Sequence, residues 1–158
     1  VYKDCNTVVD HPEEMIFIAS PDNPLASRKD IPIQDIVSNG FITSDQEVSY
    51  PRFLDDYCKD NGIEYEPIME VSSVIAISEI VASSNCVSFV PKSSIIRDLE
   101  QGRVVILDAD KSFKCRMYSQ IVYRREKWIE PHLEIFMEFV RSKIRKIDNT
   151  EEPADIQQ

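Results

Sequence analysis

Three apolar runs in this chain break off into hydroxyl side chains. Ser20 follows Met15–Ala19, Thr43 and Ser44 close Phe41–Thr43 with Ser49 just behind, and Ser72 and Ser73 follow Tyr65–Val71. A hydroxyl both donates and accepts hydrogen bonds. Beside the free N–H groups that open a helix, it can hold a carboxylate or another anion without a lysine. The ordinary role of such a serine is to cap a helix. Recurrence at successive strand ends favours a polar ligand pocket over capping alone.

Other chemistry has little to build on. The two histidines, His11 and His132, lie in a loop before a strand and in the first turn of a helix, and neither stands in a nucleophile motif. Only three glycines are present, and no glycine-rich phosphate loop can be drawn from them. Cys5, Cys58, Cys86 and Cys115 form no C-x-x-C pair, and the closest two are 86 − 58 = 28 positions apart. That spacing argues against a zinc site, and no cofactor is expected. Cys58, Cys86 and Cys115 sit among apolar neighbours and read as small buried hydrophobes in a reducing, cytoplasmic compartment. The pairs Asp55–Asp56 and Glu13–Glu14 read as solvated surface charge.

Net charge is −10, with the only basic cluster at Arg141, Lys143, Arg145 and Lys146. Such cations near a helix end oppose its macrodipole. A duplex needs clustered Lys and Arg, so direct nucleic-acid binding by this chain is rejected. No apolar run reaches the ~20 residues needed to span a bilayer. The start, Val1-Tyr2-Lys3-Asp4-Cys5, lacks the features of a signal peptide. The first residue is not Met, so the chain reads as a piece of something longer.

The elements that must position the hydroxyls follow from periodicity and turn chemistry. Strands are expected at Met15–Ala19, Phe41–Thr43, Tyr65–Val71, Cys86–Val90, Val104–Leu107 and Cys115–Tyr123. Ile31, Ile33, Ile36 and Val37 suggest a short helical turn. Ser49-Tyr50-Pro51 opens a helix that Asn61-Gly62 ends. Ser72 and Ser73 cap a helix to Ala82, and Ser93 and Ser94 start a short one that Gly102 ends. The last helix follows Pro131, with Ile129, Leu133, Phe136, Met137, Val140 and Ile144 on one stripe. The tail 148–158 is acidic and expected to be disordered. Strand and helix alternate, which predicts an α/β fold with a largely parallel sheet covered on both faces.

Several of these stretches together resemble LysR-type transcriptional regulators. Phe17-Ile18-Ala19-Ser20-Pro21-Asp22-Asn23-Pro24-Leu25-Ala26 is similar to the family's apolar strand and H-P-L-A segment, with Asn23 in place of His. Phe53–Gly62, Glu70-Val71-Ser72-Ser73 and Ile80-Val81-Ala82 resemble its middle subdomain. So do Cys86-Val87-Ser88-Phe89-Val90-Pro91 and Gly102-Arg103-Val104-Val105. Ile121–Arg125 and Pro131–Phe139 look like its return strand and closing helix. Ser83-Ser84-Asn85 replaces a glycine-rich turn, with Asn85 expected to take the left-handed conformation. The resemblance covers about residues 12–145.

The resemblance implies a type II periplasmic-binding-protein-like fold, with a small-molecule effector held between two lobes. One lobe looks complete. The implied division is 1–19 as linker and first hinge strand, 20–115 as the second lobe, and 116–147 as return strand and terminal helix of the first. The remainder of the first lobe and the DNA-binding helix-turn-helix are absent, so the chain reads as a truncated effector-binding domain that is not an enzyme. Ser20 and Ser72 match positions that face the effector in the family; Thr43, Ser44, Ser49 and Ser73 adjoin them. The terminal helix would leave Phe136, Met137 and Val140 uncovered, so a homo-oligomer is expected. Two rivals share the fold: a fragment of an extracytoplasmic solute-binding protein, and an enzyme such as a deaminase or dehydratase.

Overall fold

The computed structural model describes residues 4–45, 49–126 and 128–148, with side chains as far as Ile144. Two compact units emerge: residues 13–117, and the described residues on either side of them. The expected disorder of the tail falls outside the described residues.

The larger unit contains β2 (Met15–Ala19), α1 (Ile33–Val37), β3 (Phe41–Ser44), α2 (Ser49–Asp60), β4 (Met69–Val71), α3 (Val74–Ala82), β5 (Val87–Pro91), α4 (Ile96–Glu100) and β6 (Val105–Ile106). Strands β2, β3 and β5 are buried on both faces, which explains their unbroken apolar runs. Tyr50, Leu54 and Cys58 recur every fourth residue and form the buried stripe of α2. That helix stops at Asn61-Gly62. Gly62 adopts φ +66°, while its N–H bonds Lys59 O and the N–H of Ile63 bonds Cys58 O. The two bonds satisfy carbonyls that the helix end would leave free. Ser73 caps α3 by accepting from Ala76 N–H at 3.4 Å.

The five strands lie in the order β4-β3-β5-β2-β6. β3 runs parallel to β4 and β5, whereas β2 runs antiparallel to β5 and β6. The sheet is therefore mixed, not largely parallel. Side-chain alternation places Phe17, Phe41 and Phe89 on one face with α1 and α2. Ile16, Ile18, Ile42 and Val90 meet α3 and the turn at Ile95 on the other. The result is three layers, helix–sheet–helix, with two apolar cores.

Asn85 does not take the left-handed conformation; Asp30, at φ 50°, is the only non-glycine that does so among the described residues. The carbonyl of Asn85 instead accepts a hydrogen bond from Asn23. Without a glycine-type bend there, the chain is held by a side chain from elsewhere.

The second unit holds β1 (Cys5–Glu13), β7 (Met117–Arg124) and α5 (Pro131–Asp148). The linker expected before Met15 is thus largely a strand, and His11 lies within it instead of in a loop. Its partner β7 is more than a hundred residues away, a pairing that no local pattern announces. Val8, Val9 and Met137 form a small core, flanked by Ile121, Tyr123, Ile129, Val140 and Ile144. Met137 is therefore covered, contrary to expectation, and Val140 is half-buried. Among the described residues of α5, the large apolar side chains left exposed are Ile135, Phe136 and Phe139.

Candidate functional site

β3 and β4 are parallel neighbours, with Ser44 paired to Val71 at their carboxyl ends. The helices that follow them leave for opposite faces: α2 joins the core of Phe41 and Phe89, and α3 joins the core of Ile42 and Val90. Adjacent strands whose connections part in this way open a crevice beyond their carboxyl ends, the general ligand position in α/β sheets. Sequence periodicity could not locate this point, because it depends on strand order.

The hydroxyls distribute unequally about that crevice. Thr43 and Ser44 end β3 and are buried. Ser49 opens α2 and is exposed. Ser72 is exposed in the turn after β4, and Ser73 spends its oxygen on the α3 cap. Two helix starts therefore face the same sheet edge, each with the positive end of its dipole. The chain enters the unit at this edge too, where Glu14 pairs with Lys92 beside the Met15–Pro91 rung.

Ser20 lies elsewhere. Because β2 runs against β5 while β3 runs with it, Ala19 and Phe41 both sit level with Val87. Ser20 therefore marks the opposite edge, four residues along and two strands across from Ser44, about 16 Å away. It is buried there, accepting from Asp22 N–H at 3.3 Å. The expectation that Ser20 and Ser72 line one pocket is corrected: both follow strands, but the strands point in opposite directions.

Tyr50 is a residue the sequence reading passed over as part of a helix start. Its ring packs edge-on against Phe89, with centroids 6.4 Å apart, and its hydroxyl is buried with no hydrogen-bond partner of normal geometry among the described residues. Burial pushes the phenol's pKa up, and the nearby Ser44 side chain pulls it partly back. Its place in the first turn of a helix, next to Ser49, is the sequence signal that could have drawn notice to it.

No group of His, Cys, Asp and Glu suited to a metal occurs among the described residues. No helix among them is long and apolar enough to cross a membrane.

The model of the LysR substrate binding domain family matches residues 7–145. The RuBisCO operon transcriptional regulator of Allochromatium vinosum is 27% identical over 133 residues, which is 84% of this chain and 44% of that protein. The HTH-type transcriptional regulator YwqM of Bacillus subtilis, itself uncharacterized, is 21% identical over the same shares. The chain thus spans less than half the length of these relatives. Among solved structures, the regulatory domain of Synechocystis CcmR in complex with 2-PG matches with TM-score 0.76 at 18% identity, over 89% of this chain and 66% of that one. The effector binding domain of QuiR in complex with shikimate matches with TM-score 0.76 at 19% identity, over 92% and 69%. These likenesses confirm the type II periplasmic-binding-protein-like fold. By the match across most of its length, the chain belongs to the LysR substrate-binding-domain family.

Proposed function

We propose that this chain is the effector-sensing portion of a LysR-type, DNA-binding transcription regulator, not an enzyme, working in the cytoplasm as a homo-oligomer. DNA contact would come from a helix-turn-helix outside this sequence, as the net charge of −10 requires. The observation that carries the site is the divergence of α2 and α3 beyond Ser44 and Val71. A small anion there would accept bonds from helix-start N–H groups and from Ser44, Ser49 and Ser72, with Thr43 and Ser73 shaping the edge. Two solved relatives were captured with ligands, 2-PG and shikimate, and shikimate is a carboxylate. Residues 20–115 would form one effector-binding lobe, with 116–147 returning to the other. Ligand binding would favour one lobe arrangement and so bias the oligomer.

One wall buries little of a ligand, so this chain alone should bind at about millimolar strength. The test is a nuclear magnetic resonance titration of the chain with shikimate and with inorganic phosphate. Shifts should concentrate at the amides of Ser44, Ser49 and residues 72–76. Ser44→Ala and Ser72→Ala should weaken the effect several-fold, and Ser20→Ala should not. Shifts centred on Ser20, or indifference to both Ser44→Ala and Ser72→Ala, would remove the site from this edge. An upstream helix-turn-helix excludes the solute-binding reading; an upstream signal peptide would favour it.

A further inference from the structure

Tyr50 carries a hydroxyl that the fold does not use. The residue is 7% exposed, and its oxygen has no hydrogen-bond partner of normal geometry among the described residues. A buried hydroxyl left unpaired costs stability that a phenylalanine in the same place would not. The ring alone supplies the packing, edge-on against Phe89 in the core beneath α2.

The position of the oxygen gives it a use. Phe89 lies one residue beyond the rung that pairs Ile42 with Ser88. From there the tyrosine reaches Ser44, the last residue of β3, closely enough for the serine side chain to act on the phenol. The hydroxyl thus sits at the carboxyl end of β3, beside the first turn of α2, a helix of 12 residues whose positive dipole end faces the crevice. Burial raises the phenol's pKa, so at neutral pH it keeps its proton and can donate it in a hydrogen bond.

Charge narrows what the hydroxyl would meet. Asp45 follows Ser44, and Glu70 stands level with Thr43 on β4. Against these two stands Arg52 in the first turns of α2, while Glu14 and Lys92 neutralise each other. Neutral hydroxyls and a dipole end worth about half a charge suit one anionic group, and the surplus carboxylate opposes a second.

We propose that Tyr50 is a specificity-determining residue that, with Ser44, donates a hydrogen bond to the carboxylate of a small monocarboxylate ligand. The inference rests on the effector site proposed above and narrows its ligand from small anions to monocarboxylates. A buried donor of this kind rejects molecules that leave it unpaired.

Tyr50→Phe, which removes only the oxygen, tests this on the intact chain in two measurements. Without ligand, its urea midpoint should equal or exceed that of wild type, because no bond is lost. In nuclear magnetic resonance titrations with glycolate and with shikimate, it should bind about 10-fold more weakly than wild type. Wild type should bind inorganic phosphate about 10-fold more weakly than shikimate at mildly alkaline pH, where phosphate is mainly a dianion. A lowered midpoint would make the hydroxyl part of the fold and overturn the proposal. Unchanged carboxylate binding in Tyr50→Phe would remove Tyr50 from the site while leaving the site itself standing. Phosphate bound as tightly as shikimate would overturn the ligand class. No shifts at Ser44, Ser49 and residues 72–76 in wild type would overturn the effector site and this inference together.

Discussion

The side-chain amide of Asn23 donates to the carbonyl of Asn85, 62 residues later in the chain, at 2.8 Å. The same amide reaches Asn39 Oδ1 at 3.2 Å, while Asn23 Oδ1 accepts from Leu25 N–H at 2.8 Å. One buried side chain thus ties together the three loops that precede β3, precede β5 and follow β2. Asn23→Ala removes the partner of one buried amide, Leu25 N–H, and of two partly buried acceptors. We expect a loss of about 2–3 kcal/mol, read as a lower urea midpoint with unchanged slope. Asn23→Asp, which replaces the donor by an acceptor, should cost at least as much. A midpoint within error of wild type in both would show that the loops hold without Asn23.

Phe113 lies in the segment between β6 and β7, yet four aromatic rings surround it: Tyr57 at 4.8 Å, Phe17 at 5.3 Å, Phe89 at 5.6 Å and Phe53 at 5.9 Å between centroids. It closes the α2 side of the sheet although it belongs to no strand or helix. Phe113→Ala should destabilise the larger unit by about 2–3 kcal/mol, and Phe113→Leu by less than half of that. Equal stability of wild type and Phe113→Ala in thermal unfolding would make the cluster incidental.

Burial pushes the Cys58 thiol up from 9.0 to about 11, with the Asp55 carboxylate adding to the shift. Burial alone pushes the Cys115 thiol from 9.0 to about 11. Tyr65 is raised as well, first by burial and then by its hydrogen bond to Asp55. In each case folding favours the neutral form. The stabilisation is complete below the unfolded thiol's pKa, near 9, and is lost as pH climbs toward 11, because the unfolded chain then releases protons that the folded chain keeps. Urea midpoints should therefore fall steadily across this window. A Cys58→Ala, Cys115→Ala double variant should fall less; a slope identical to wild type would assign the decline to other groups.

The sequence made the local elements plain where composition and period agree. Met15–Ala19 reads as a buried strand from its run of apolar residues, and α2 from Phe53, Leu54, Tyr57 and Cys58 between a proline and an Asn-Gly stop. What it left hidden is relational. Nothing near Ser20 says that its strand opposes the strand ending at Ser44, so two equally plausible hydroxyls fall on opposite edges. Nothing in Cys5–Glu13, with its Asp, His and Pro, marks a strand until β7 supplies the partner. Tyr50 belongs to the same class. Its position in the first turn is legible, whereas the burial of its hydroxyl beside Ser44 depends on how α2 lies on the sheet.

The placement of β2 also has a consequence for how the protein is made. Its first residue, Met15, pairs with Pro91, and Ile18 pairs with Ile106 on the other side. An early strand is thus flanked only by late ones. As the chain leaves the ribosome, Ile16, Phe17 and Ile18 must wait for about ninety further residues, roughly 5–20 s of synthesis, before both neighbours exist. Until Val87–Pro91 is made, a five-residue apolar strand has no native partner, which makes it the segment a nascent-chain chaperone would be expected to hold.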